Sequence, residues 1–209
     1  TVQGGIWSMS SNGVVSTIDT IGLVAPVNPG TDTAVYIVTN TFGCSDTTTF
    51  PITVFAIPVV DSIHGIDSLC MYQNTTFTDS TAGGSWQSDD TTIAIIDSNG
   101  LITAIDSGLT TIRYSAVNGA GCTTTVSKNI FIKAVTVPGP ITGSSTICVN
   151  NTEQYQNVVP GGIWSSVSNG NICNITPSGL LSANNAGKDT IIYNITNSSC
   201  CSSAESLAV

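Results

Sequence analysis

Hydrophobic and polar residues alternate with a period of two along the longer runs of this chain. Between Thr110 and Val117 every second residue, Ile112, Tyr114 and Ala116, is apolar or aromatic, and the residues between them are polar. Such alternation is typical of a strand with one buried face. Turn sequences such as Asp97-Ser98-Asn99-Gly100 separate the runs, and no stretch has a helical period. The pattern therefore predicts an all-β protein made of sandwich domains.

The same pattern occurs three times. Trp7, Trp86 and Trp164 are 79 and 78 residues apart, and each follows a Gly-Gly-x sequence. Other residues repeat in the same register, namely Gly22, Gly100 and Gly179, then Gly30, Gly108 and Gly187, then Tyr36, Tyr114 and Tyr193. A fixed internal period indicates a repeat architecture, in which one active site is not expected to recur.

The period predicts three domains, at residues 1–56, 57–135 and 136–209. The joints near Ala56 and Val135 are short and contain proline, which favours stiff connections. The first domain lacks the counterpart of residues 57–82 and hence its first two strands. Either upstream chain in a longer array or a strand from a neighbouring subunit would complete it, and the longer array is favoured.

These residues carry a family resemblance. The order of Gly-Gly-x-Trp, an apolar-x-x-apolar step such as Ile93/Ile96, Gly-Leu and a later Tyr resembles the bacterial Ig-like domains of group 2. The Thr-rich, Cys-bearing form is similar to tandem modules of secreted Bacteroidota proteins, including cell-surface and gliding adhesins exported by the type IX route. The resemblance implies Ig-like sandwiches in a linear, rod-like array at the bacterial cell surface.

Tryptophan and tyrosine recur once per repeat, which favours positions in the sandwich cores over a sugar-stacking platform. The predicted core aromatics are Trp7, Trp86, Trp164, Tyr36, Tyr114 and Tyr193.

The composition limits the classes of molecule that this chain is expected to bind. Only 8% of residues are charged, against ~25% in an ordinary domain, and the net charge is −9. The four basic residues form no patch, which argues against binding of nucleic acid or anionic membranes. No apolar run approaches the ~20 residues that span a bilayer, so no membrane insertion is expected. The seven cysteines favour an oxidising, extracellular location.

Cysteine positions follow the repeat. Cys70 and Cys148 each lie 16 residues before a tryptophan, whereas Cys44, Cys122 and Cys201 each lie 8 residues after a tyrosine. Equivalent positions predict the bonds Cys70–Cys122 and Cys148–Cys201 and leave Cys44 unpaired. Cys173 and Cys200 are extra in the third repeat and are predicted to pair with each other, while Cys148–Cys200 remains an alternative.

The sequence predicts no catalytic residue, no cofactor and no metal. His64 is the only histidine and is interpreted as a surface or joint residue. Asp89, Asp90 and Asp97 offer calcium-type oxygens, but turn chemistry is the favoured interpretation.

Eight triplets of the form Asp-[Ser/Thr]-[apolar or Thr] resemble the O-glycosylation signal of Bacteroidota. Their acceptors are Thr20, Thr33, Thr47, Ser62, Ser68, Ser80, Thr91 and Thr190.

The leading functional hypothesis is a structural segment of a long extracellular filament or adhesin stalk, and no enzyme. Its partners would be further repeats, neighbouring copies or a cell-surface target such as a glycan. The alternatives are an accessory spacer of a secreted polysaccharide-degrading enzyme and a carbohydrate-binding module.

Overall fold

The computed structural model of the chain describes residues 4–209, and in that range the regular structure consists of strands alone. This confirms the predicted all-β sandwich class, while the linear, rod-like array stays a prediction. None of the described residues forms a helix long and apolar enough to cross a membrane.

The second repeat has seven strands, and its long alternating run forms a strand as predicted. These strands are β6 (Ser68–Cys70), β7 (Asn74–Thr76), β8 (Ser85–Ser88), β9 (Ala94–Ile96), β10 (Leu101–Ala104), β11 (Gly108–Val117) and β12 (Thr123–Lys133). One sheet has the order β6-β12-β11-β8 and the other β7-β10-β9. Strand β6 runs parallel to the end of β12, with Leu69 opposite Ile132, and Met71 N–H donates to the carbonyl of Lys133.

The first repeat has five strands in residues 4–56. They are β1 (Ile6–Met9), β2 (Ser16–Ile18), β3 (Val24–Pro26), β4 (Gly30–Thr39) and β5 (Ser45–Val54). Its sheets have the orders β1-β4-β5 and β2-β3, which correspond to β8-β11-β12 and β9-β10. Within the described range, this repeat has no counterparts of β6 and β7.

The third repeat has six strands. They are β13 (Thr152–Gln154), β14 (Ile163–Ser166), β15 (Cys173–Ile175), β16 (Leu180–Ala183), β17 (Thr190–Thr196) and β18 (Ser202–Ala208). One sheet has the order β14-β17-β18 and the other β13-β16-β15.

Both sheets of the third repeat contribute to one core. Trp164, Ile191, Tyr193 and Ile195 come from the first sheet and Cys173, Ile175 and Leu181 from the second, and Tyr155 lies just after β13. Burial of this apolar surface supplies the main driving force for folding.

By its internal contacts the backbone falls into two compact units. One contains the residues up to Ser62 with Asp79–Ser85 and Tyr114–Val126, and the other contains Ile63–Thr78, Trp86–Arg113 and Ser127–Val209. This division passes through the second repeat, and the domain boundaries near residues 56 and 135 stay predictions.

Candidate functional site

The Gly-Gly-x-Trp sequence forms a latch with the tyrosine of the same repeat. The backbone N–H of the second glycine donates to the tyrosine hydroxyl, in the pairs Gly5–Tyr36 at 3.1 Å, Gly84–Tyr114 at 3.0 Å and Gly162–Tyr193 at 2.8 Å. The hydroxyls of Tyr114 and Tyr193 donate in turn to the carbonyls of Thr81 and Val159. The latch explains why glycine and tyrosine recur together, a link that the sequence analysis did not make.

A side chain has no room at the second glycine. A Cβ at Gly84 would lie 2.3 Å from Cζ of Tyr114, and one at Gly162 would lie 2.4 Å from Cζ of Tyr193. Because real Cβ contacts are longer than 3.0 Å, the tyrosine ring requires glycine at this position.

The tyrosines are buried, and the tryptophans pack against them. Trp164 is buried, whereas Trp7 and Trp86 are half-buried. The ring centroids of Trp7 and Tyr36 are 4.5 Å apart, and those of Trp164 and Tyr193 are 4.6 Å apart. Tilted aromatic pairs of this kind stabilise a core in addition to the contribution from the apolar area that they bury.

Two repeats contain a buried aspartate that the sequence analysis missed. Asp32 and Asp189 are 4% and 6% exposed and occupy the same repeat position, which Thr110 fills in the second repeat. Asp189 accepts hydrogen bonds from the side chains of Ser168 and Cys173 and from the N–H of Ser168. The signal for such a site is an aspartate four residues before the repeat tyrosine, within β4 for Asp32 and directly before β17 for Asp189, with serines opposite it.

These hydrogen bonds keep the carboxylates charged despite burial. Burial by itself would raise the pKa of Asp189, but donation from Cys173, Ser168 and Thr190 lowers it to about 2. The pKa of Asp32 is likewise well below its usual range, because hydrogen bonds from Ser11 and Ser16 outweigh burial. Each carboxylate therefore ties together the turn that follows β1 or β14 and the start of the long strand.

The structure forms a disulfide that differs from the predicted ones. Cys70 is bonded to Cys201, 131 residues later, whereas Cys122 and Cys148 are free. The predicted bonds Cys70–Cys122 and Cys148–Cys201 are therefore replaced by one that joins the second repeat to the third. Equivalence of positions alone does not distinguish a partner in the same repeat from one in the next.

Cys173 and Cys200 are also free, so the predicted bond between them is absent. Cys173 is buried on β15 among core residues and donates to Asp189, and burial and this carboxylate raise the pKa of its thiol to about 12. Cys200 lies exposed in a hairpin loop with a φ of 62°. Cys44 is free and exposed.

Each repeat closes its last hairpin with the same asparagine turn. The side-chain oxygens of Asn40, Asn118 and Asn197 accept the N–H of the cysteine four residues later, namely Cys44, Cys122 and Cys201, at 3.0–3.1 Å. This turn holds the loop cysteine in a fixed place relative to its strands.

Two of these asparagines also fasten their hairpin to the joint before their repeat. Asn118 Nδ2 donates to the carbonyl of Ala56, and Asn197 Nδ2 donates to the carbonyl of Ala134, both at 2.7 Å. The two joints thus contain an identical contact, and the Cys70–Cys201 bond reinforces the second one.

The remaining predicted polar residues lie in turns or on the surface. His64 is exposed and pairs through its backbone with Thr78. Asp97 accepts the N–H groups of Asn99 and Leu101, and Asp89 forms a two-point contact with Arg113 at 2.6 and 2.7 Å. No group of three or more potential metal ligands occurs among residues 4–209.

The eight candidate glycan acceptors differ in exposure. Thr20, Thr47, Ser62, Ser80 and Thr91 are exposed, whereas Thr33, Ser68 and Thr190 are half-buried in strands. Thr20, Ser62, Ser80 and Thr91 lie outside the strands, whereas the exposed Thr47 lies within β5.

Comparisons with known proteins give structural likenesses only. No family model matches the chain, and no curated protein sequence matches it. Domains 1–6 of the surface-layer protein SbsC match 96% of this chain at 19% identity, with a TM-score of 0.28. Mouse protocadherin-24 EC1-3 matches 98% at 9% identity and Drosophila N-cadherin EC1-4 matches 98% at 12% identity, each with a TM-score of 0.28.

The matches cover 32% of the SbsC chain, 88% of the protocadherin chain and 66% of the N-cadherin chain. This chain thus spans about a third of the length of the SbsC chain that it matches. Likenesses with such low TM-scores do not indicate a function for this chain.

Proposed function

We propose that this chain is a structural segment of a long extracellular filament or cell-surface adhesin stalk, in which disulfide-reinforced β-sandwich repeats transmit tension. The observation that carries the proposal is the Cys70–Cys201 bond, because it joins two consecutive repeats covalently. A bond inside one repeat would stabilise that repeat alone. A bond across a joint also resists separation of the repeats.

The repeated joint contact supports the same proposal. The asparagine of each hairpin donates to the carbonyl at the preceding joint in both places where a joint exists, at residues 56 and 134. A chain whose function required flexible linkers would gain nothing from fastening each joint by the same side chain.

Surface chemistry fits an extracellular scaffold. The polar surface is built mainly from Thr, Ser and Asn, and few charges are present. A disulfide persists in an oxidising location outside the cytosol.

Pulling the chain from its two ends tests the mechanical role. While the Cys70–Cys201 bond is intact, the chain between these cysteines, which are 131 positions apart, cannot be extended. Reduction releases about 430–470 Å of additional contour length at ~3.3–3.6 Å per residue. The Cys70→Ser variant should show the longer extension without reductant, and Cys122→Ser should match the parent chain.

Electron microscopy of native cells tests the location and assembly. Antibodies against the chain should label surface filaments with a regular axial repeat. If the antibodies labelled no filament and bound only a secreted polysaccharide-degrading enzyme, the proposal would be overturned in favour of an accessory spacer.

A further inference from the structure

The disulfide between the second and third repeats has a free thiol directly beside it. Cys200 precedes Cys201, whose sulfur is bonded to Cys70, and Cys200 itself is free and exposed. Cys201, in contrast, is only 1% exposed, and Cys70 is half-buried. Solvent therefore has little access to the cross-link, whereas a sulfur nucleophile lies at the surface of the same hairpin.

The other two repeats have glycine where the third has Cys200. The cysteines that end the three asparagine turns are hereafter the hairpin cysteines, namely Cys44, Cys122 and Cys201. Gly43, Gly121 and Cys200 directly precede them, and each donates its N–H to the carbonyl of the turn asparagine at 3.0 Å. Cys200 has a φ of 62°, in a region that favours glycine over any residue with a Cβ. Cysteine at this position does not improve the turn, yet it occurs in the hairpin whose cysteine is bonded.

Backbone distances select the sulfur that Cys200 can attack. Consecutive Cα atoms are about 3.8 Å apart, which is shorter than the roughly 4.4–6.8 Å between the Cα atoms of ordinary disulfides. A bond between Cys200 and its neighbour Cys201 is therefore disfavoured. The Cα atoms of Cys70 and Cys201 are 5.7 Å apart, so that of Cys200 lies within about 9.5 Å of Cys70. Opening of the loop by a few ångströms brings Cys200 and Cys70 into bonding range.

The backbone conformation of Cys200 favours this movement. For a residue with a Cβ, the left-handed region is less stable than the extended region. The turn holds Cys200 in the left-handed region through its hydrogen bond to the carbonyl of Asn197. A loop that opens toward Cys70 lets Cys200 leave that region.

We propose that Cys200 is an internal exchange nucleophile, which moves the joint disulfide from Cys70–Cys201 to Cys70–Cys200 and so exposes it to an external dithiol. The buried bond is the closed form of the joint, and the exposed bond is the form that the dithiol reduces. The exchange does not require assembly into a filament. Its failure with the Cys70–Cys201 bond intact would therefore leave the proposed structural function standing.

The exchange step consumes no oxidant or reductant. The Cys200 thiol gives its proton to solvent, and the thiolate attacks Sγ of Cys70. The Cys70–Cys200 bond forms as the Cys70–Cys201 bond breaks, and Cys201 leaves as a thiolate that takes up a proton.

Reduction by the dithiol then follows in two steps. One thiolate of the dithiol attacks Sγ of Cys200 and releases Cys70, which leaves a mixed disulfide on Cys200. The second thiolate of the dithiol attacks the dithiol's own bonded sulfur, closes its disulfide and releases Cys200. One protein disulfide is thereby reduced to two thiols, and one dithiol is oxidised.

Disulfide mapping of the purified 209-residue chain detects the exchanged form. Incubation at about pH 8, where part of the thiol is ionised, should produce molecules with a Cys70–Cys200 bond and a free Cys201. After acid quenching and alkylation, fragmentation between residues 200 and 201 in the mass spectrometer identifies the bonded sulfur. Cys200→Ser should yield the Cys70–Cys201 bond alone. A Cys200–Cys201 bond with a free Cys70, or the absence of any exchanged form, would overturn the proposal.

Timed reduction by dithiothreitol measures the role of Cys200 in opening the joint. Release of the Cys70 thiol is the readout, because exchange alone leaves Cys70 bonded. Cys200→Ser and Cys200→Gly should each slow this release several-fold, and the parent rate should not depend on protein concentration. Cys44→Ser is the matched control, since it removes another exposed thiol, and it should leave the rate unchanged.

The two substitutions at Cys200 separate its thiol from its backbone conformation. Serine keeps a Cβ at positive φ, whereas glycine removes it. If conformation alone opened the joint, Cys200→Ser would be reduced as fast as the parent and only Cys200→Gly would be slow, which would overturn the proposal. Equal rates in all three chains would overturn it as well. A free Cys70 thiol before any dithiothreitol is added would overturn both the exchange and the cross-link on which the filament proposal depends.

Discussion

The second glycine of each Gly-Gly pair illustrates how much one residue determines in this fold. Gly84 donates its N–H to Tyr114 and leaves room for the ring that covers it. The sequence shows this glycine only as part of a repeated Gly-Gly-x sequence, whereas the close approach of the ring depends on a tyrosine 30 residues later.

Replacement of this glycine should therefore destabilise the protein. In Gly84→Ala the new Cβ would lie 2.3 Å from Tyr114, and overpacking of this kind costs about 1–3 kcal/mol. Gly119→Ala is the control, since no atom lies within 4 Å of its Cβ. Urea unfolding of both variants measures the difference, and equal stability would contradict the role of the latch.

Cys200 stands at the loop position that Gly43 and Gly121 occupy in the other hairpins. All three residues have positive φ, at 62°, 83° and 84°. A residue with a Cβ is strained there by about 1–2 kcal/mol, so Cys200→Gly should raise the unfolding free energy by about 1 kcal/mol. Chemical denaturation with Cys201 still bonded measures it, and a loss of stability would contradict the strain argument.

The charge of Asp189 should contribute to stability above acidic pH. Its pKa falls from 3.8 to about 2 on folding, so its contribution is present above about pH 4 and is lost as pH falls through about 2. Asp189→Asn should lower the unfolding free energy at pH 7 by about 2 kcal/mol, since it removes hydrogen bonds to a buried charge.

Thermal unfolding between pH 2 and pH 7 tests this prediction. The parent chain should lose more stability than Asp189→Asn between pH 4 and pH 2. The exposed Asp46→Asn is the control and should follow the parent chain. If the melting temperatures of Asp189→Asn and of the parent chain fell equally between pH 4 and pH 2, the prediction would be wrong.

Among the structural elements, the last hairpin of the third repeat is linked to the joint that precedes this repeat. Residues 197–201 form a tight asparagine turn, fasten the joint at Ala134 and position Cys201 for its bond with Cys70. Local sequence predicts the turn, because asparagine followed by small polar residues favours it. The joint contact connects residues 63 positions apart, so local sequence does not predict it.

Asn197→Asp separates the two roles of this asparagine. The aspartate oxygen still accepts the N–H groups of Ser199 and Cys201, but no amide remains to donate to Ala134. With the joint loosened, dithiothreitol should reduce the Cys70–Cys201 bond several times faster than in the parent chain. Timed thiol labelling measures this rate, and an unchanged rate would show that the amide does not hold the joint.

Over the whole molecule, the exposure of each candidate acceptor determines whether it can be glycosylated. Five of the eight candidate acceptors, Thr20, Thr47, Ser62, Ser80 and Thr91, are exposed. We expect at least two of these five to carry sugar in the native protein and the three half-buried acceptors to carry none. Peptide mapping by mass spectrometry checks this, and recovery of all five exposed acceptors without sugar would refute it.

The strands and the equivalence of the repeats follow from the sequence alone. Alternation places Ile112, Tyr114 and Ala116 on one face, and the structure buries all three. This works because strand formation depends on local turns and on a period of two, both of which are visible along the chain.

Which of the equivalent residues meet depends on contacts between distant parts of the folded chain. The spacing of Cys70 suits Cys122 and Cys201 equally, since both are hairpin cysteines, and the choice of Cys201 depends on how a hairpin folds back onto its joint. Likewise, Asp189 looks like a surface turn residue in sequence until Cys173 and Ser168 surround it in the core. A repeating sequence specifies the set of equivalent positions, whereas contacts between distant residues select the partner within that set.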